Sequence, residues 1–103
     1  MTDIQISLAS IDDVPDIARL NVLFNEGHKS AEEIASDMMN PNCVESVILA
    51  KTSDQTIGFA LIRIVRTVLY VKPHAELTEL YVMEEFRQQG VASDLIAFAE
   101  KIA

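Results

Sequence analysis

Ile4, Ile6 and Leu8 alternate with polar residues, which predicts a short strand near the N-terminus. The period then lengthens. Val14, Ile17, Leu20 or Asn21, and Phe24 follow helical spacing, with Ser10 and Asp12 as candidate caps and Pro15 tolerable in a first turn. Gly27 is expected to end this helix. Ser30 followed three residues later by Glu33 forms a capping box. It predicts a second, shorter helix that stops at Asn40-Pro41, because the residue before a proline is pushed out of helical conformation.

The pattern changes again at Val44. Val44 to Lys51 is rich in β-branched residues, Thr52 to Gln55 is polar turn material, and Thr56 to Val71 is nearly continuous apolar sequence. Two antiparallel strands joined by a short turn are predicted there. Lys72-Pro73-His74 reads as the next turn, and Glu76 to Val82 has strand composition. Glu84 to Gly90 is polar. From Val91 to Ala103 the period is helical, with Val91, Leu95, Phe98 and Ile102 on one face. The expected order is strand, helix, helix, strand, strand, strand, helix. Its last strand runs through a polar turn straight into a helix, the place where ligands tend to sit in sheets of this kind.

Composition narrows the function. The chain has 103 residues, half of them hydrophobic, so a single packed domain over 1–103 is expected. Sixteen acidic against eight basic side chains give a formal charge of -8, which opposes nucleic acid or an anionic membrane as partner and favours cations such as protonated amines. Net acidity that merely maintains solubility is the blander explanation. Cys43 is the one cysteine, so no intrachain disulfide forms, and an idle thiol is expected rather than a nucleophile. Met1-Thr2-Asp3 is not a basic signal-peptide head, and Arg63 and Arg66 interrupt the longest apolar stretch, so a cytoplasmic chain without a membrane span is expected. Three glycines leave no Gly-rich dinucleotide fingerprint and no Walker loop. His28 and His74 lack ligand spacing, and no metal site is expected.

The segment richest in chemistry runs from Leu80 to Ala92. Gly90 stands where the backbone must approach a ligand closely or take an unusual φ. The first amides of the following helix are unpaired and their dipole favours an anion. Arg87 can add a charged donor, and Ala92 and Ser93 are small enough to admit a phosphate. Many helices start this way without a ligand, so the physics alone reads only as a candidate anion site.

The Arg87-x-x-Gly90-x-Ala92 turn resembles the Arg/Gln-x-x-Gly-x-Gly/Ala turn of the GNAT superfamily of acetyl-coenzyme A-dependent N-acetyltransferases. Leu80-Tyr81-Val82 before it, Leu95, Ile96 and Glu100 after it, and Gly58-Phe59-Ala60 in a long strand are similar to the superfamily's surroundings. The resemblance spans the chain in element order and is sharpest from Glu76 to Ala103. It implies an α/β (α+β) fold with a mixed, mainly antiparallel sheet flanked by helices, in the order β-α-α-β-β-β-α. It implies acetyl-coenzyme A as cosubstrate, with Gln88, Gln89, Gly90, Val91, Ala92 and Ser93 around the pyrophosphate and Arg87 beside it. Leu80, Tyr81 and Val82 would pair their backbone with the pantetheine arm, and an amide near Val82 would polarise the thioester carbonyl.

An amine acceptor must lose a proton, which calls for a carboxylate near the thioester. By the same resemblance Glu79 stands where many small-molecule N-acetyltransferases carry an acidic residue, and Glu76 where histone-type members carry their base. Three apart on a regular strand they face opposite sides, and only a bulge between them brings both to one pocket. Glu79 is the favoured base, against the alternative of a solvated strand carboxylate. Glu26, Glu32, Glu33 and Asp37 are expected to form a solvated helix face. Arg63 and Arg66, also three apart, are expected on opposite sides of a strand as surface charges.

The superfamily fold continues past the third helix, through a fifth strand and the region that supplies a thiolate-protonating tyrosine. Tyr70 and Tyr81 do not occupy that place. The expectation is therefore a domain lacking its C-terminal portion, a weak catalyst by itself, that self-associates, most simply as a homodimer. A non-catalytic module that binds coenzyme A or a partner chain is the alternative function.

Overall fold

The computed structural model describes residues 3–27 and 29–102. His28 and the chain's first two residues therefore lie outside the described residues, as does Ala103. Strand β1 is Gln5–Leu8, helix α1 Val14–Asn25, helix α2 Ala31–Met39, strand β2 Glu45–Lys51, strand β3 Thr56–Val65, strand β4 His74–Val82 and helix α3 Val91–Ile102. The order is the one the sequence predicts.

The chain forms two compact units, one made of α1, α2 and their approaches over Ala9–Cys43, the other of β1 and everything from Val44 onward. In the first, Ser10 opens a 3-10 turn over Ile11–Asp13, and its amide donates to the Asp13 carboxylate at 2.8 Å. Asp13, not Asp12, then stands at the N-cap of α1, with Pro15 in the first turn. The helix ends at Glu26 rather than Gly27: Glu26 takes the left-handed conformation at φ 51, and the Gly27 amide reaches back to the Asn21 carbonyl at 3.2 Å. Gly27 serves instead as clearance, since a Cβ there would fall 2.4 Å from the Asn21 side-chain amide.

The Ser30–Glu33 capping box forms as expected: the Glu33 amide donates to Ser30 Oγ at 3.1 Å and the Ser30 amide to Glu33 Oε1 at 3.0 Å. Hydrogen bonding of the Glu33 carboxyl to the Ser30 main-chain amide, and secondarily to the Ser30 side chain, holds it below its ordinary pKa. Asp37 pairs with Lys29. Two of the acidic residues on this face thus have local structural partners.

In the second unit the four strands form one antiparallel sheet in the order β1-β2-β3-β4. One face packs on α3. Ile48, Ala50, Ile57, Ala60, Ile62 and Val82 bury against Val91 and Leu95, with Phe98 and Ile102 partly buried around them. The helical spacing read from the sequence is therefore the core-facing stripe of α3.

β3 is shorter than predicted. It stops at Val65, and residues 66–73 form an exposed connection in which the Tyr70 amide bonds Thr67 Oγ1 at 2.9 Å. A continuous apolar run does not show where pairing ends, because the last apolar residues here have no partner strand to bury them. Arg66 consequently lies beyond the strand, so the alternation argument applies to Arg63 alone.

Gly58 sets how closely β3 and β4 approach. A Cβ on it would lie 2.7 Å from the Tyr81 carbonyl oxygen and 3.3 Å from Val82 Cα, both main-chain atoms that cannot swing aside. Gly58→Ala should therefore destabilise the protein by about 1–3 kcal/mol through forced separation of the strands. Urea unfolding of the two proteins checks this, and equal midpoints would show that the strands part without strain.

Candidate functional site

Two local irregularities build the site. The first is in β4. Register runs Leu61↔Glu79 and then Ile62↔Leu77, so Thr78 is an extra residue that bulges out of the ladder. Its hydroxyl donates to the Leu61 carbonyl at 3.0 Å. The bulge changes which face each later residue takes. Glu79 pairs with Leu61 and Glu76 with Arg63, and Leu61 and Arg63 share one face of β3, opposite α3. Both carboxylates therefore lie on the same face, about 7 Å apart along the strand direction. The condition that the sequence left open, a bulge between Glu76 and Glu79, is met. The two differ in surroundings: Glu79 is partly buried opposite Leu61, whereas Glu76 is exposed and stands across from the cation Arg63.

The outer edge of β4 comes next. The Met83 amide donates to the Ile57 carbonyl at 2.8 Å. Hydrogen bonding alternates along an antiparallel pair, so the main-chain groups of Tyr81 and Glu79 point toward β3, and those of Val82 and Leu80 point away from it. The Val82 carbonyl accepts from Arg87 Nε at 2.9 Å, as an outward oxygen can. That leaves the Val82 amide and both main-chain groups of Leu80 directed off the edge of the sheet. Arg87 also lays its guanidinium over the Tyr81 ring, 5.2 Å from the centroid. It is a brace across the end of the strand, a role the sequence motif did not disclose.

The second irregularity is the turn into α3. After a 3-10 turn over Glu84–Phe86, Gln88 and Gly90 both take positive φ, 65 and 81. Gln89 Nε2 bonds the Glu85 carbonyl at 3.3 Å. The first bond of the helix runs from the Asp94 amide to the Gly90 carbonyl at 3.0 Å, so the amides of Val91, Ala92 and Ser93 precede it and are free of the helix ladder. A Cβ built on Gly90 meets no heavy atom within 4 Å, so the space beside the glycine is open. The Val91 side chain is buried in the core, so its amide is what it offers to the turn. A glycine at positive φ followed by three amides outside the helix ladder is the kind of helix start that favours an anion. The neighbouring carboxylates Glu84, Glu85 and Asp94 oppose an anion, so binding of one here would depend on the oriented amides and Arg87.

The sequence missed two contributors. Gly58 lets β4 lie close enough to β3 for its end to be positioned, and Thr78 rotates the register of the carboxylates. Gly58 inside an apolar strand was a legible signal of close backbone approach. Nothing in the residue type of Thr78 marks a bulge.

The family description "Acetyltransferase (GNAT) family" matches residues 11–103. A comparison with curated proteins finds no match. Among solved structures, a ribosomal-protein-alanine N-acetyltransferase from Brucella melitensis biovar Abortus 2308 superposes with a TM-score of 0.84 at 16% identity, over 97% of this chain and 71% of that one. An aminoglycoside acetyltransferase from an uncultured soil metagenomic sample gives 0.82 at 19% identity, over 96% and 68%. An aminoglycoside 6'-N-acetyltransferase from Acinetobacter baumannii gives 0.79 at 23% identity, over 98% and 71%. At these identities the likeness is one of fold.

Proposed function

Because the chain belongs to the acetyltransferase (GNAT) family, we propose that it acts as an N-acetyltransferase, moving an acetyl group from acetyl-coenzyme A to a primary amine of a small molecule. The observation that carries the reading is the Thr78 bulge, which sets Glu76 and Glu79 on one face of β4 just before the outward Val82 amide. A site that joins an oriented amide with a carboxylate is suited to acyl transfer to an amine. The names of several fold relatives state acetylation of aminoglycosides, which supports a small amine as acceptor.

Each residue then has a task. The Val91, Ala92 and Ser93 amides, with Gln88, Gln89, Gly90 and Arg87 shaping the turn, hold the pyrophosphate. Leu80 and Val82 present main-chain groups to an extended arm along the strand edge, and Tyr81 seats Arg87. Acetyl-coenzyme A, when bound, supplies an activated thioester carbonyl. The Val82 amide is placed to donate to the oxygen on which charge develops. Glu79 binds the acceptor's ammonium and takes its proton, directly or through water. Glu76, facing Arg63, attracts the cation but is the weaker choice of base. No metal is invoked. Among the described residues no helix is long and apolar enough to cross a membrane, and we place the activity in the cytoplasm.

The same reading includes self-association of the 103-residue chain. Among the described residues β4 is an edge strand of the sheet, and an exposed strand edge can pair with another chain.

Calorimetric titration with acetyl-coenzyme A, coupled to thiol release with a panel of small amines, tests the function. Saturable coenzyme binding and amine-dependent thiol release are expected. Absence of coenzyme binding would overturn the reading.

A further inference from the structure

The Arg87 side chain touches two successive residues at the end of β4. Nε donates to the Val82 carbonyl at 2.9 Å in a partly buried bond, and the guanidinium lies over the Tyr81 ring at 5.2 Å. Both partners are themselves held. The Met83 amide bonds the Ile57 carbonyl at 2.8 Å, and Gly58 admits the Tyr81 carbonyl oxygen, which lies 2.7 Å from where a Cβ would stand. The Arg87 amide bonds the Glu84 carbonyl at 3.2 Å, which fixes the base of the side chain. A cationic donor on a main-chain oxygen makes a bond roughly twice as strong as a neutral one. All of these residues belong to one compact unit.

The bond takes one group off the free edge of the strand. An extended arm that pairs with β4 meets outward groups that repeat every second residue, about 7 Å apart. Leu80 and Val82 carry the carbonyls that face off this edge, and an amide N–H of the arm suits either. Arg87 removes the choice by filling the Val82 carbonyl. A carbonyl can accept a second bond, but a ladder donor would have to share the oxygen with the cation already seated on it. The Leu80 carbonyl is then the preferred acceptor. A slip by one repeat would carry a thioester about 7 Å along the strand, out of line with the Val82 amide and Glu79.

We infer that Arg87 is a positioning residue: by occupying the Val82 carbonyl it sets the register in which the arm of acetyl-coenzyme A pairs with β4, and so where the thioester stands. This rests on the acetyltransferase reading above. It gives Arg87 a task distinct from attraction of the pyrophosphate, since attraction needs the positive charge and register needs the donor at Nε. Substitution separates the two. In Arg87→Gln the amide nitrogen stands as many bonds from Cα as Nε does, so the donor is kept and the charge lost. Arg87→Lys keeps the charge and puts a methylene where Nε was. Arg87→Met loses both.

The test reads the bound thioester directly and needs no turnover. Acetyl-coenzyme A isotopically labelled at the acetyl carbonyl is bound to each protein, and infrared difference spectra follow the carbonyl stretch. Its frequency should fall on binding to the wild type, because an amide donor draws charge onto the oxygen. Arg87→Gln should keep that shift. Arg87→Lys and Arg87→Met should leave the band at or near its free position. Calorimetric affinity for coenzyme A should follow charge instead, with Arg87→Lys closest to the wild type. In a form that turns over, Arg87→Lys should lose kcat on the order of 10²-fold, as expected for a misplaced reactant, and Arg87→Gln should recover much of the loss. Circular dichroism melting checks folding, and the comparison of Gln with Lys decides the matter if the Met variant does not fold. An equal shift in all four proteins, a shift kept by Lys but not by Gln, or a wild type that binds without a shift would overturn the role of Arg87 and leave the acetyltransferase reading standing. A wild type that binds no coenzyme would overturn that reading, and the register with it.

Discussion

Gly90→Val should abolish the thermal protection that coenzyme A confers and lower the melting temperature even without ligand. Two separate effects add. Gly90 holds φ 81, a backbone conformation that a β-branched residue adopts only under strain. Strain of that kind costs about 1–3 kcal/mol, or roughly 4–8 °C in melting temperature per kcal/mol for a chain of this size. The cost is conformational, since a Cβ at this position meets no protein atom within 4 Å. Under the proposed function that open space receives the phosphate, and the valine methyls would then compete with it directly. Ligand at about a hundred times its dissociation constant stabilises a protein by about 2.7 kcal/mol, and this increment is what the variant should lose. Gly90→Ala separates the terms, keeping part of the strain and projecting less into the site. Melting curves with and without coenzyme A make the measurement. Equal protection of wild type and Gly90→Val would remove the turn from the binding site.

Glu79→Gln should reduce the acetylation rate by about 10²–10⁴-fold and leave coenzyme affinity unchanged. The substitution keeps the side chain's size and hydrogen bonding and removes its basicity. A primary alkylamine with pKa of about 10.4 is mostly protonated at neutral pH, so it depends on a carboxylate to take its proton. Without that base, the residual rate should climb as pH rises toward the amine's own pKa, because the solution must then deprotonate it. Glu76→Gln should have a smaller effect, since Glu76 already faces Arg63 across the strands. Thiol release measured from about pH 6 to 9, a range bracketing neutrality, compares the three proteins in the form that turns over. An unchanged Glu79→Gln profile would exclude the role. A larger loss in Glu76→Gln would exchange the two assignments.

Much of this protein follows from local chemistry, and that part was legible in the sequence. Period-two and period-3.6 spacing depend on the intrinsic geometry of strands and helices, so β1, α1 and α3 appear as alternation and as a stripe. Ser30 and Glu33 cap α2 because a serine oxygen and a carboxylate three residues apart reach each other's amides wherever they occur. The unusual φ at Gly90 and the helix start at Val91 were legible for the same reason: they are properties of a few adjacent residues. Where competing neighbours decide, the sequence misplaced details. Asp13 rather than Asp12 reached the cap, Glu26 rather than Gly27 turned left-handed, and β3 stopped at Val65 although the apolar run continued to Val71.

The tertiary structure alone decided how the parts meet. Whether Glu76 and Glu79 share a face depends on one extra residue in the ladder between β3 and β4, and that register is set by pairing between segments distant in the chain. The outward direction of the Val82 amide depends on which residues of β4 bond to β3. The brace from Arg87 to the Val82 carbonyl and the Tyr81 ring needs the strand's end and the turn held in place together. Residue type and spacing along the chain carry local conformation. Strand register, edge exposure and the aim of a main-chain amide arise only when separate segments pack and share hydrogen bonds.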